Sequence, residues 1–78
     1  MIQELEEVIL KFDLPQNGLQ RGDIGTVLAV HEDGSGYDVE FTALNGETIA
    51  EVTLTDFQVR QAHKGEIAHV RDLASSTL

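Results

Sequence analysis

Seventy-eight residues leave room for one hydrophobic core and no second domain, because a core must enclose enough apolar side chains to offset the entropy of ordering the chain. Fourteen Asp and Glu against five Lys and Arg give a formal net charge of -9, which repels phosphate backbones and anionic membranes and draws basic proteins by long-range steering, although such a surface also serves solubility alone. Cysteine is absent, which excludes disulfides, thiolate metal sites and thiol nucleophiles.

Met1 to Glu7 is acidic and has neither the basic start nor the apolar run of a secretory signal. No stretch reaches the length of a bilayer span, so the expectation is a soluble, cytoplasmic protein. From residue 7 to residue 60, short apolar runs are punctuated by Gly, Asn and Asp too closely for long helices, which is an all-β rhythm. Glu7 to Phe12 is the first predicted strand. It runs into Asp13-Leu14-Pro15-Gln16-Asn17-Gly18, where Pro15 withholds an amide donor and Asn17-Gly18 accepts a turn, so a protruding loop follows.

The second predicted strand, Ile24 to His31, sets Ile24, Thr26, Leu28 and Val30 on one face and stops at Asp33-Gly34. Tyr37 to Phe41 alternates most cleanly, with Tyr37, Val39 and Phe41 toward a core and Asp38 and Glu40 toward water. Beyond Asn45-Gly46, Glu47 to Leu54 is rich in β-branched residues, and its alternation breaks between Ile49 and Val52, the mark of a bulge. Thr55-Asp56 turns the chain into Phe57 to Arg60, a short fifth strand placed to close the sheet upon the first. The fold class predicted for residues 1–61 is therefore all-β, a small five-stranded SH3-like barrel, since closure disposes of unpaired edges. Residues 62–78 read as a C-terminal extension, either a loose tail or a short helix opening at Gly65-Glu66 with Ile67, Val70 and Leu73 or Ala74 along one side.

The segment Gly22-Asp23-Ile24-Gly25-Thr26-Val27 resembles the Gly-Asp-x-Gly-Thr-Val stretch of many SH3-like barrels, the KOW modules of ribosomal and transcription factors among them. Asp13-Leu14-Pro15 and Gly18-Leu19 precede it; Tyr37-Asp38-Val39-Glu40-Phe41 and Gly46-Glu47-Thr48-Ile49-Ala50 follow. In that order, over residues 5–61, the motifs resemble an uncharacterised bacterial family of short acidic proteins, common in cyanobacteria and classed as a domain of unknown function. The resemblance implies an SH3-like fold and no assigned reaction, and the small genes that neighbour its members imply an antitoxin or immunity partner. It stops short of residues 62–78. A looser similarity is to the small photosystem I subunit that docks on the stromal side, whose basic docking residues have no counterparts here.

A KOW-like reading predicts nucleic-acid binding, yet Lys11, Arg21 and Arg60 are the only cations within the predicted barrel, with Lys11 and Arg21 beside the first loop. The expectation is no nucleic acid and no membrane as partner. Catalysis fares no better: Ser35 and Thr26 have no base in sequence context, and Asp38 and Glu40, about 7 Å apart on a strand, need a sugar-sized cleft before they can act as a pair. His63, Glu66 and His69 recur every third residue, which on a helix fans them over about 120° instead of stacking them as zinc ligands. His31-Glu32-Asp33 reads as a turn. No metal, cofactor or enzymatic activity is expected.

The surface is left as the carrier of function. Asp38 and Glu40, with Glu51 on the neighbouring strand and Glu32, Asp33 and Glu47 in the flanking turns, predict a continuous negative patch for docking a basic protein, helped by the loop from Pro15 to Gln20. The alternative is an accessory structural subunit that packs into a larger enzyme or photosynthetic assembly through Leu14, Leu19 or the Ile67, Val70, Leu73 stripe. Self-association into a homo-oligomer is a further expectation, because a small core gains from burying an edge against a second copy.

Overall fold

The computed structural model describes residues 1–73. It contains β1 (Glu7–Leu10), β2 (Ile24–Val30), β3 (Tyr37–Thr42), β4 (Thr48–Leu54) and β5 (Val59–Gln61), with one 3-10 turn at Pro15–Asn17. Every pairing is antiparallel and the strand order is β4-β3-β2-β1-β5. The fifth strand returns to the first, with Ile9 opposite Arg60 and Leu10 opposite Val59. All five strands feed one core: Val8 and Leu10 from β1, Val27 from β2, Val39 and Phe41 from β3, Leu54 from β4 and Val59 from β5. The edge strands thus share a core without sharing a ladder, a curled sheet compatible with the predicted barrel. Among the described residues no helix is long and apolar enough to cross a membrane.

The inward face of β2 is carried by Gly25 and Val27, not by the Ile24, Thr26, Leu28, Val30 set. Period-2 alternation separates two faces but does not say which is buried. The small residue decides it: a Cβ at Gly25 would stand 2.5 Å from Val39 Cγ1 and 2.9 Å from Phe41 Cε2, so glycine lets β3 close down on β2. A bulge between Val27 and Ala29 then changes the parity of the rest of the strand. A second irregularity lies where Phe41 pairs with Ala50 but Thr42 with Thr48, leaving Ile49 as the extra residue at the break in alternation.

Other differences have physical causes. Phe57 is 81% exposed in the turn closed by the Gln58 N–H donating to Thr55 O, so β5 begins only at Val59. Leu19 is 3% exposed, packed in the core from the first loop through its bridge to Leu14, and is not available to a partner. Ile2 is buried too; the N-terminal segment is held when the Leu5 N–H donates to Val27 O at 2.6 Å and the Val27 N–H to Glu6 O at 2.9 Å.

Residues 62–73 form a tail without a helix, turning where the Glu66 N–H donates to His63 O. Ile67 and Val70 are 91% and 67% exposed, so neither packs on the sheet, and an undocked helix this short does not persist in water. Ala74 and Ser75-Ser76-Thr77 lie outside the described residues. Charge ties the tail back instead: Arg71 reaches Asp23 with Nε to Oδ1 at 2.8 Å and Nη2 to Oδ2 at 2.6 Å, and its Nη2 also donates to Gly18 O at 3.1 Å. Arg71→Ala is expected to speed amide exchange in residues 67–73 while leaving the strands protected, at a cost below about 1 kcal/mol. Unchanged exchange in the tail would mean that this pair does not hold it.

Candidate interaction surface

The strand register gathers carboxylates that are scattered along the chain. Glu7 stands opposite Thr26, Thr26 opposite Glu40, and Glu40 opposite Glu51, so one transverse row crosses β1, β2, β3 and β4 on the outer face. No Lys or Arg interrupts it. Asp38 lies on the same face of β3, opposite Thr53 of β4. Directly opposed side chains in an antiparallel pair sit about 4.5–5.5 Å apart at Cβ, where Glu40 and Glu51 repel each other.

Asp38, Glu40 and Glu51 are therefore brought together as expected. The other three are placed around them: Glu32 and Asp33 in the turn leading into β3, and Glu47 after the turn at its far end. The patch runs the length of β3, with the turn acids at its two ends. Glu7 completes the transverse row through its pairing with Thr26, a register that the residues of β1 do not by themselves reveal.

Several of these acids also hold local structure. His31 Nε2 lies 2.9 Å from Asp38 Oδ1 and the Thr53 hydroxyl donates to the same oxygen at 2.8 Å, which together keep the Asp38 carboxyl below the usual range. The Thr48 hydroxyl donates to Glu40 Oε2 at 2.6 Å. Asp33 accepts the Ser35 N–H at 2.9 Å and shapes its turn; the hydrogen bonds from Ser35 lower its carboxyl pKa. Glu47 donates its N–H to Asn45 Oδ1 at 3.0 Å, leaving its carboxylate to face water.

Elsewhere, Tyr37 donates its hydroxyl to Asp56 Oδ1 at 2.8 Å, and this bond raises the phenol above its ordinary pKa. Burial pushes the Asp23 carboxyl up, but the hydrogen bonds from Arg71 and the Gln20 N–H outweigh it and leave the pKa lowered. Arg60 grips Glu66 with two bonds, at 2.9 and 2.7 Å, and pulls its carboxyl from 4.5 down to about 2. Glu66 is thus bonded to Arg60 and to the His63 N–H. Among the described residues, no group of three or more His, Cys, Asp or Glu is placed to hold a metal, and no polar or charged residue is buried.

A carboxyl with a lowered pKa in the folded state stabilises the fold above its unfolded pKa and loses that contribution as pH falls through its folded value. For Glu66 the window runs from 4.5 to about 2. The melting temperature is expected to fall across that interval, and less steeply in Glu66→Gln. Superimposable profiles would remove the Arg60–Glu66 pair from the account.

The matched region supplies a family. Residues 4–61 match the model described as Domain of unknown function (DUF4926), more than half of the 78-residue chain and all five strands. The chain belongs to the DUF4926 family. The DUF4926 region contains the whole acidic row and ends at the last residue of β5, so the tail from residue 62 lies beyond it. No curated protein and no solved structure matches the chain.

Proposed function

We propose that this DUF4926 domain is a non-catalytic acidic module that docks a basic protein on the outer face of β1 to β4. The observation that carries the reading is the Glu7–Thr26–Glu40–Glu51 row, in which Glu40 and Glu51 face each other directly and no cation interrupts the acids. Opposed carboxylates cost the fold stability, a cost that a cationic partner relieves on binding. An antitoxin or immunity role in a bacterial cytoplasm fits this physics, because an inhibitor of a nucleic-acid-directed protein gains by presenting charge where phosphate would lie.

Capture from the native extract at low and at high salt, with the bound protein identified by mass, tests the proposal. A basic protein recovered at low salt and lost at high salt is the expected result. A second reading, an accessory subunit seated through apolar contacts, has the exposed Leu44, Phe57 and Ile67 in its favour. It predicts capture that salt does not weaken.

A further inference from the structure

The scarce cations are not spread evenly. Of the five, Arg60 and Arg71 are in ion pairs and Lys64 sits in the exposed tail. The remaining two, Lys11 and Arg21, have no side-chain hydrogen-bond or ion-pair partner among the described residues, and they line one groove. That groove, about 550 Å³ and open to solvent, is formed where the end of β1 runs between β5 and the turn before β2; Ile9, Lys11, Phe12, Asp13, Arg21 and Arg60 line it. Phe12 is 55% exposed, an aromatic surface beside unpaired cations.

We propose that this groove is a second binding site, for an acidic peptide segment of a partner protein in which carboxylates flank an apolar side chain. The proposal stands independently of the acidic face. Glu66 neutralises Arg60, and Asp13, whose Oδ1 accepts the Arg21 backbone N–H at 2.9 Å, offsets one further charge. One positive charge remains, in a chain of net charge -9. The acidic row does not cancel it: Glu7 opens β1 and Lys11 follows its last residue, four positions or about 13 Å of extended chain away, beyond the screening length of about 8 Å at physiological salt. Charge complementarity selects carboxylates, and the open shape beside Phe12 and Ile9 suits an extended segment with an apolar side chain between them. A nucleic acid needs several phosphate contacts for useful affinity, and two unpaired cations are too few. A second copy would bring its own net charge of -9.

The test is a titration of the isotope-labelled full chain with a short synthetic peptide alternating glutamate and leucine, read by the amide resonances of Lys11, Phe12, Arg21 and Gly22. Saturable shifts confined to these residues are expected, with affinity falling about tenfold or more in K11E/R21E and retained in the charge-conserving Lys11→Arg. Both side chains are exposed and unbonded, so the variants should fold; unchanged circular dichroism checks this. Equal binding of the glutamine–leucine peptide, equal binding by K11E/R21E, or complete displacement by inorganic phosphate would each overturn the proposal, the last by reducing the groove to a small-anion site. Dimers in light scattering whose formation is abolished by K11E/R21E would also overturn it, in favour of a second copy.

Discussion

Alanine at Gly36 is expected to cost about 3 kcal/mol or more and to leave much of the chain unfolded at moderate urea. Two effects add at this position. Its φ of 155° lies where L side chains rarely go, and a Cβ there would run into the carbonyl oxygen of Leu54. Backbone strain of this kind costs roughly 1–3 kcal/mol and overpacking a similar amount. A domain of this size holds roughly 4–12 kcal/mol in all. Gly25→Ala makes the contrast: its Cβ would meet the side chains of Val39 and Phe41, which can shift, so the expected loss is the smaller, about 1–3 kcal/mol. Urea midpoints of the two variants measure the difference. A Gly36→Ala midpoint equal to wild type would mean that the turn into β3 is not packed against the end of β4 as described.

Gly36 also shows where the sequence speaks and where it is silent. Asp33-Gly34 marked a turn, but nothing local showed that two residues later the backbone must pass against Leu54, because that contact is made across eighteen positions of chain. The same divide runs through the molecule. Tyr37 to Phe41 was legible because its alternation is strict and one face carries only acids. The face of β2 was not, because the burial there is set by how closely β3 approaches Gly25. The core role of Ile2 and Leu19 was hidden for a related reason: both lie outside strands, and only the folded sheet gives them a place to pack. At the candidate site, Asp38, Glu40 and Glu51 could be read from alternation and neighbouring strands. Glu7 could not, since its place in the row depends on the β1–β2 register.

Reversing the row is the second large effect. The combined substitutions Glu7→Lys, Glu40→Lys and Glu51→Lys are expected to weaken binding of the basic partner by about a hundredfold or more, because each exchanges an attraction for a repulsion on a surface the partner must cover. Folding should not suffer. Glu40 and Glu51 face each other across β3 and β4, so Glu40→Lys alone turns a repulsive pair into an attractive one; with the exposed Thr48 bond to Glu40 lost, a net gain in stability of at most about 1 kcal/mol is expected. Loss of binding in the combined variant, where lysines at 40 and 51 still repel and stability should stay near wild type, together with a gain in melting temperature in Glu40→Lys alone, separates the surface from the scaffold. Equal losses of both would place these glutamates in the fold and not in the interface. Asp38 is a poorer choice for this purpose, since its carboxylate also holds His31 and Thr53.

The most direct measurement is the association rate constant of the captured partner as a function of ionic strength, for the wild-type chain and for Glu40→Lys/Glu51→Lys. Steering by the outer row predicts a rate that falls steeply with added salt in the wild type, and a slow rate with little salt dependence in the variant. A rate indifferent to salt and identical in both proteins would contradict the account.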